Sequence, residues 1–476
     1  MNKRSTFVVF GIAVLLRVLF VWRQPLWYDE NFSLLLARLP LDRMLAATIS
    51  DVHPPLFYLT IWPLMHIPGA PAWLIRVPSV IFSILSVALF WAILQKMVAS
   101  PTVRVAALIL MAVTPANIYY AQEGRMYALL EFLFLMAVWS MLERKWAFFA
   151  MDIVLLLYTH NAAIFYAASI YLVAMLRDVR DWRKLTLALT AAGAAWLPWV
   201  LIMFSQMTTI DGSYWILPVA PGRVLYSFYQ LFFTQSPFVA GEILQATVFF
   251  GWLLFALFYM LRKKSPEVRQ FLILAFVPAL LMVIVSLIWQ PIFMYRLLIP
   301  CIPWMCVLLA WPVEWVLSNT RRQGMAAIFI VPLLLVNLPL NYNPRLYRGD
   351  DGDTTDLLEI IDERWQAGDV VYHTSDGTMI NFLPYTSTPY EDNFVMPSCD
   401  ATYGSLTPET RSMMGVETVS LDALDWSRAW IVTVQNTRLE PACKMESLAP
   451  YLSGPVEVVQ CLPMEMGRVC LYLVQR

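Results

Sequence analysis

Long apolar stretches recur through the first 340 residues and constrain the fold more than any other feature of the chain. A helix needs about 17–25 mostly apolar residues to cross the hydrocarbon core of a bilayer. Eleven stretches have or approach this length: 6–24, 78–97, 103–121, 126–142, 145–159, 160–176, 185–205, 238–261, 268–290, 295–317 and 323–340. Two shorter ones, 54–67 and 223–235, are interrupted by Pro and aromatic residues and could be re-entrant, interfacial or spanning. The sequence predicts an α-helical polytopic membrane protein with about 11–13 transmembrane helices.

Charge divides the chain into two domains. Overall it is 59% hydrophobic and 14% charged, with a mean hydropathy of +0.61, which departs from the usage of soluble proteins. Residues 341–476 hold 20 of the 34 acidic groups but only 9 of the 33 basic groups. We therefore expect a basic transmembrane domain over 1–340 and an acidic, soluble, extracytoplasmic domain over 341–476. The basic residues lie in short clusters between apolar runs, which indicates cytoplasmic loops rather than binding to nucleic acid.

The basic clusters also predict the orientation. They occupy every second connection between the eleven stretches: Lys3/Arg4, Lys96/Arg104, Arg144/Lys145, Arg177/Arg180/Arg183/Lys184, Arg262/Lys263/Lys264 and Arg321/Arg322. Cytoplasmic loops carry an excess of Lys and Arg, so the N-terminus is expected inside the cell and the acidic domain outside. No small-residue cleavage site precedes Arg23, which favours an uncleaved first helix. The predicted location is the cell (inner) membrane, with multiple passes.

This orientation places six polar features on one outer face. They are Asp29/Glu30, His53, Gln122-Glu123-Gly124-Arg125, Tyr158-Thr159-His160-Asn161, Asp211 and Tyr295-Arg296. Ionisable groups beside a membrane are costly when unpaired, so they are a functional hypothesis by default.

The first outer loop, residues 25–53, shows two short amphipathic patterns. Apolar residues at helical spacing predict one helix over Asn31–Leu39, with Asn31 as a candidate cap, and a second from Pro40 through Ile49. Such helices would lie on the membrane surface, with Asp29 at one end of the pair and His53 at the other.

The order of the motifs resembles a known family. The motifs are Tyr28-Asp29-Glu30, His53-Pro54-Pro55-Leu56, Arg76-Val77-Pro78-Ser79, Gln122 to Leu129, Tyr158-Thr159-His160 and Tyr295 to Pro300. Together they resemble bacterial relatives of the protein O-mannosyltransferases and the lipid A aminoarabinose transferases, the glycosyltransferase family 39/83-like group. The resemblance covers roughly residues 6–340. It implies the GT-C fold, a polyprenyl-phosphate sugar as donor, an extracytoplasmic lipid, glycan or protein as acceptor, and an inverting single displacement.

The resemblance implies that Asp29 is the catalytic base or positions the acceptor. A carboxylate suits this role because it can take the proton of a hydroxyl that attacks the anomeric carbon. Glu30, the second candidate catalytic residue, would orient its neighbour or bind sugar. The alternative for both is a solvated helix boundary.

The lipid phosphate that leaves needs cations, and His53, Arg125 and Arg296 are the candidates. His53 occupies the position before Pro-Pro, where the aminoarabinose transferases often have Lys. The alternatives are a helix N-terminal residue for His53, an ion pair with Glu123 or a snorkelling side chain for Arg125, and a similar interfacial role for Arg296. Further candidate site residues are Glu123, Tyr127, Tyr158, His160 and Tyr295, with His160 favoured as a hydrogen-bonded membrane-interior histidine.

No cofactor is assigned. Asp29, Glu30, Asp51, His53 and His160 could supply ligands to a divalent metal, but none of their spacings is specific for one. Use of a nucleotide sugar is disfavoured, because no nucleotide-binding module is evident and the polar face points away from the cytoplasm.

The sequence of the acidic domain predicts a small α/β or α+β fold. A helix is predicted over Thr355–Gln366, and strands over Asp369–His373, Ala429–Val434, Val456–Cys461 and Val469–Val474. Cys399, Cys443, Cys461 and Cys470 could form two disulfides in any of three pairings, whereas Cys301 and Cys306 are predicted to pack in a helix. His373, Asp376, Glu391, Asp392 and Asp400 form no recognisable catalytic set, which favours a surface role.

The competing function is a polytopic transporter or flippase. Transporters place ionisable groups near the bilayer midplane and often show internal repeats. This chain gathers its polar groups at one face, with Asp152 as the one candidate exception, and no repeat is evident. The sequence therefore favours a membrane glycosyltransferase over a transporter.

Overall fold

A computed structural model describes most of the chain. The described residues are 3–210, 216–233, 239–263, 266–319, 322–324, 354–385, 393–395, 406–416, 419, 426–436, 454–464 and 467–475. Asp211, the stretch 325–340, the proposed domain boundary, Glu391, Asp392, Asp400, Cys399 and Cys443 lie outside them.

Fifteen α-helices make up the described part of residues 1–340. They are α1 Lys3–Val18, α2 Tyr28–Arg38, α3 Leu41–Ser50, α4 Leu56–Met65, α5 Val77–Met97, α6 Pro101–Val113, α7 Pro115–Ala121, α8 Tyr127–Leu142, α9 Trp146–Leu157, α10 Ala163–Arg177, α11 Trp182–Ile210, α12 Pro221–Phe232, α13 Val239–Lys263, α14 Pro266–Ile288 and α15 Ile302–Leu317. Short 3₁₀ helices cover Ala72–Arg76, Val179–Asp181 and Tyr295–Cys301. One continuous buried apolar core joins these elements.

The predicted architecture, an α-helical polytopic membrane protein with a C-terminal sheet domain, is confirmed. By length and composition five described helices suffice to cross a membrane: Ala72–Met97, Trp182–Gln206, Gly241–Met260, Glu267–Ile288 and Tyr295–Leu317. A sixth candidate is the pair α6 and α7, bent by 52°. Thr6–Val18, Leu56–Met65, Tyr127–Leu142, Trp146–Leu157 and Ala163–Arg177 are apolar but shorter. Several predicted stretches therefore fold into shorter helices than their apolar length indicated, because turns interrupt them.

The bend between α6 and α7 depends on a buried arginine from α1. Pro115 has no N–H, so it cannot donate to the carbonyl of Met111. Arg17 is fully buried and supplies the missing donors: Nη2 donates to Met111 O at 3.1 Å and Nη1 to Ala112 O at 3.0 Å. Its Nε donates to Ser83 Oγ at 2.9 Å. Arg17 therefore ties α1 and α5 to the break.

We expect Arg17→Leu to destabilise the protein in detergent. Each buried carbonyl left without a donor costs about 1–3 kcal/mol. The measurement is thermal unfolding, with Arg43→Leu on the exposed side of α3 as the control, because surface substitutions usually change stability by less than about 0.5 kcal/mol. Equal melting temperatures for the two variants would contradict this role of Arg17.

A group of polar contacts lies at the end of the bundle opposite to Asp29. At this end Lys96 pairs with Glu143, and Arg144 Nη2 lies 2.5 Å from Asp178 Oδ2. Arg177 Nη1 donates to Gln270 at 2.7 Å, which adds the start of α14 to this end. Lys96, Arg144 and Arg177 belong to the basic clusters that the sequence predicted to lie in the cytoplasm.

The C-terminal domain contains a five-stranded mixed sheet. Its described elements are α16 Thr354–Arg364, β1 Asp369–His373, α17 Asp376–Phe382, a 3₁₀ helix Leu383–Tyr385, β2 Asn393–Val395, α18 Pro408–Met414, β3 Arg428–Asn436, β4 Val456–Met464 and β5 Gly467–Gln475. The strands lie in the order β2-β1-β3-β5-β4. Strand β1 is parallel to β2 and β3, while β3, β5 and β4 are antiparallel. The predicted helix and all four predicted strands are present, whereas α17, α18 and β2 were not predicted.

The cysteines and ionisable residues of this domain are structural where they are described. Cys461 and Cys470 form a disulfide between the paired strands β4 and β5. In the helical domain, Cys301 and Cys306 are buried and free, at the end of a 3₁₀ helix and in α15. The predicted surface role is wrong for Asp376, which is buried and accepts hydrogen bonds from Leu406 N and Arg411 Nη2. It is also wrong for the buried His373.

Candidate functional site

Residues 25–53 form the two predicted helices, α2 and α3, at one end of the bundle. Helix α2 begins at Tyr28, three residues before the predicted cap, Asn31. Asn31 therefore lies inside the helix, and its Nδ2 donates back to Leu26 O at 2.9 Å. The earlier start places Asp29 in the first turn of α2, on the side that meets the membrane body.

Glu30 is fully buried and holds α2 to the helical body. Its carboxylate accepts two hydrogen bonds from Arg76, with Nε and Nη2 each donating at 2.7 Å, and one from Gly124 N at 2.8 Å. Arg76 also donates to the carbonyls of Val21, Gln24 and Pro25. This geometry favours a positioning role for Glu30, which orients its neighbour, over direct contact with a sugar.

Asp29 lies between two arginines. Arg296 Nη1 donates to Asp29 Oδ2 at 3.0 Å, and Arg125 Nε lies 3.8 Å from the same oxygen. The side chains of Asp29 and Arg296 are 17% and 14% exposed, whereas Arg125 is only 3% exposed. The group is thus open to solvent at Asp29 and closed behind Arg125.

Two hydroxyl residues that the sequence did not indicate fix Arg125. Its Nη1 donates to Ser33 Oγ at 3.0 Å and lies 3.5 Å from the Tyr58 hydroxyl. Ser33 Oγ in turn donates to the carbonyl of Asp29 at 2.8 Å. Ser33 lies four residues after Asp29, so both share one face of α2, and this spacing is the signal that could have identified it.

His53 and His160 face each other beside this group. Their ring centroids are 5.7 Å apart, and His53 Nδ1 lies 3.4 Å from Asp51 Oδ2. One side-chain and one main-chain hydrogen bond join the two loops: Asn161 Nδ2 donates to Val52 O and Leu56 N donates to Tyr158 O, both at 3.1 Å. The His53-Pro54-Pro55 and Tyr158-Thr159-His160 motifs therefore form one wall of the site.

The protonation of the site follows from burial and these charges. Burial raises the pKa of Asp29, but the combined charges of Arg125, Arg296 and His53 outweigh it and leave the pKa below its usual 3.8. Burial lowers the pKa of His53 below 6.5, with Arg125 adding to the effect and Asp51 opposing it. The pKa of His160 is lowered further by burial, and its Nδ1 accepts from Ala162 N at 3.0 Å. Near neutral pH Asp29 is thus an ionised carboxylate beside two guanidiniums, and the imidazoles of His53 and His160 are mostly neutral.

The remaining candidates lie around this centre in different ways. Arg296 lies over the Tyr127 ring, 5.8 Å from its centroid, and the Tyr127 ring is 6.4 Å from that of His160. Tyr158 points elsewhere, because its hydroxyl donates to Ala195 O. Tyr295 is 36% exposed at the rim, and Glu123 is fully buried below the turn that carries Arg125.

The donor set does not suit a metal ion. Among the described residues no group of three or more His, Cys, Asp and Glu side chains could hold one. Of the five candidate ligands, Glu30 is taken by Arg76 and Gly124, and Asp29 is bonded to a cation. Two nearby guanidiniums repel a further cation and attract an anion.

The whole chain is similar to solved membrane glycosyltransferases. ArnT from Cupriavidus metallidurans, a lipid A aminoarabinose transferase, in the apo state is 14% identical, with 98% of this chain and 96% of ArnT covered and a TM-score of 0.60. The same enzyme bound to undecaprenyl phosphate is 14% identical, with 99% and 98% covered and a TM-score of 0.58. The fold is the GT-C fold.

A third solved structure is also similar to this chain. It is the archaeal oligosaccharyltransferase AglB from Archaeoglobus fulgidus, in complex with an inhibitory peptide and a dolichol-phosphate. It is 12% identical, with 90% of this chain and 69% of AglB covered and a TM-score of 0.52. No protein-family model and no curated protein matches the sequence. The GT-C fold that the motif order implied is therefore confirmed by the structure.

Proposed function

We propose that this protein is a membrane glycosyltransferase that moves a sugar from a polyprenyl-phosphate donor to an extracytoplasmic hydroxyl acceptor. The observation that carries the proposal is the Asp29 carboxylate bonded to Arg296 and close to Arg125, at a partly exposed site in a GT-C fold. A carboxylate beside two guanidiniums can accept a proton on one side and stabilise a phosphate on the other. Structural neighbours with bound undecaprenyl phosphate and dolichol-phosphate support a lipid phosphate as the leaving group.

The reaction we propose is a single inverting displacement. The acceptor hydroxyl attacks the anomeric carbon while Asp29 takes its proton. The bond from the anomeric carbon to the phosphate oxygen breaks, and its electron pair leaves with the polyprenyl phosphate. Arg296, at the partly exposed side of the site, and Arg125 behind it stabilise this developing charge, since both guanidiniums lie beside Asp29. Glu30 takes no proton and keeps α2 in place through Arg76.

The donor itself makes Asp29 a better base. In the free protein the two guanidiniums hold the pKa of Asp29 low, which weakens it as a proton acceptor. A phosphate bound to the same guanidiniums adds a negative charge and offsets their field, so the pKa of Asp29 rises when the donor arrives. The site is thus expected to gain basicity only when a leaving group is present.

His53 gives donor binding a pH dependence. Its pKa lies below 6.5, so it is mostly neutral at pH 7 and gains charge as the pH falls. We expect the KM for the donor to fall as the pH drops below 6.5, and Asp29 stays ionised over this change because its own pKa is below 3.8. His53→Lys should lower this KM at pH 7 by about tenfold, since a charge-assisted hydrogen bond contributes about 1.5 kcal/mol or more. The donor KM of His53→Lys should also vary little with pH.

The matched control is His66→Lys. His66 is exposed at the end of α4, and its described side-chain contacts are with Trp62 of the same helix, so the donor KM of His66→Lys should follow the wild type. A donor KM in His53→Lys that rises at pH 7, or that keeps the wild-type pH dependence, would remove His53 from the phosphate site.

The orientation and partners follow the same proposal. The site end of the bundle faces the extracytoplasmic side, with the described part of the C-terminal domain above it, and the opposite end with Lys96, Arg144 and Arg177 faces the cytoplasm. The donor reaches the site from the bilayer, and a lipid, glycan or protein hydroxyl reaches it from outside. Residues 1–340 are the catalytic transmembrane domain.

Reconstitution with a panel of polyprenyl-phosphate sugars tests the proposal. Proteoliposomes that contain the full chain should deplete one donor of the panel and form a glycosylated acceptor from an envelope extract. A flippase would instead move the intact donor between leaflets and leave the glycosidic bond unbroken. Translocation without bond cleavage for every donor would therefore favour a transporter.

A further inference from the structure

The C-terminal domain contacts the helix that carries Asp29. The 3₁₀ helix at Tyr385 and helix α17 lie against the beginning of α2, where the Tyr385 hydroxyl accepts a hydrogen bond from Leu26 N at 2.6 Å. Asn381 Oδ1 accepts from Asn31 Nδ2 at 3.1 Å. The ring of Tyr28 packs beside Gly377, close enough that an added Cβ would lie 3.5 Å from it. Three contacts from one short segment thus surround the first turn of α2.

The packing beneath these hydrogen bonds is apolar and continuous with the membrane body. Ile380 of α17 and Leu406 are buried in the same core as Phe32 and Leu36 of α2. Asn31 is fully buried and links both sides, because its Nδ2 donates to Leu26 O and to Asn381 Oδ1. A buried amide held this way resists displacement, since a lost partner leaves a polar group unsatisfied.

Helix α2 is therefore held from two sides. Glu30 and Arg76 fix it to the membrane body, while Asn381 and Tyr385 fix its N-terminal end from above. Asp29 lies between these attachments, and its carboxylate accepts a hydrogen bond from Arg296 Nη1 at 3.0 Å. A displacement of about 1 Å at a reacting group can cost about 10²-fold in rate.

We infer that Asn381 and Tyr385 are positioning residues of the transfer reaction: the C-terminal domain completes the active site by fixing the helix that presents Asp29. This inference rests on the proposed function. It assigns the domain a role in the rate of the reaction in addition to any part in acceptor binding. The residues act through α2 and touch neither donor nor reacting atoms.

The test compares Asn381→Ala and Tyr385→Phe with Glu457→Gln in the full-length protein. Glu457 forms an exposed ion pair with Arg364 in the same domain, so its loss controls for general effects on that domain. Hydrogen exchange of the amides in residues 26–31 and the kinetics of transfer are measured for each variant. We expect faster exchange at 26–31 and a kcat lower by about tenfold or more in the two positioning variants, with the donor KM within about twofold. Glu457→Gln should match the wild type in both.

Each outcome separates the inference from the proposed function. Wild-type exchange and wild-type kcat in Tyr385→Phe, which removes one hydroxyl and keeps the ring, would overturn the inference even if Asn381→Ala fails to fold. A lower kcat without faster exchange at 26–31 would also overturn it, because the effect would not pass through α2. A wild-type protein that transfers no sugar would overturn the proposed function, and the exchange data would still decide whether the domain holds α2.

Discussion

Asp29→Asn should lower kcat for sugar transfer by about 10²–10⁴-fold, the usual contribution of a general base. The amide is nearly isosteric with the carboxylate, so it keeps a hydrogen-bond acceptor for Arg296 but cannot take a proton. Removal of the negative charge between Arg125 and Arg296 also strengthens their field on a phosphate. The donor KM should therefore stay the same or fall while kcat falls. Steady-state kinetics in proteoliposomes measure both constants.

The control for this variant is Asp42→Asn. Asp42 is exposed in the first turn of α3, in the same outer loop, and should leave both constants unchanged. Retention of wild-type kcat in Asp29→Asn would show that another group accepts the proton, and the assignment of Asp29 as base would then be wrong.

Glu30→Gln should unfold or strongly destabilise the outer loop, because it leaves the buried Arg76 guanidinium without its carboxylate. Loss of one partner from a buried ion pair typically costs about 3–5 kcal/mol. Arg76→Gln should cost a similar amount, whereas the double variant should be less destabilised than the sum of the two, since neither charge is then left alone. Thermal unfolding of the three variants in detergent measures these differences.

The comparison pair is Lys96 and Glu143 at the opposite end of the bundle. Its side chains are 42% and 26% exposed, and an exposed pair contributes about 0–1 kcal/mol, so Glu143→Gln should melt close to the wild type. A Glu30→Gln protein with wild-type melting temperature and a strongly reduced kcat would instead make Glu30 a catalytic residue.

The sequence predicted which residues share a face better than how they are paired. Alternation of Lys and Arg clusters with apolar stretches was enough to place Asp29, His53, Arg125, His160 and Arg296 at one end, and the structure brings these five together. The charge of a loop and the length of an apolar stretch are local properties that the bilayer constrains, so they can be predicted from the sequence alone.

Which side chains pair with each other inside the bundle could not be predicted in the same way. Glu30 and Asp29 are adjacent in sequence, yet one is buried against Arg76 and the other is open beside Arg296, because successive helical residues point in directions about 100° apart. Arg17 lies inside an apolar stretch, and its role depends on a proline almost one hundred residues later. Its presence in a predicted transmembrane helix was the available signal.

The most direct test of the proposed transferase activity measures cleavage of the bond between the sugar and the phosphate of the donor. Proteoliposomes loaded with a sugar-labelled polyprenyl phosphate should release one polyprenyl phosphate for each sugar that appears on the acceptor, and Asp29→Asn proteoliposomes should release almost none. The proposed transferase activity would be contradicted if intact donor crossed the bilayer without release of free polyprenyl phosphate, and if the wild type and Asp29→Asn behaved alike.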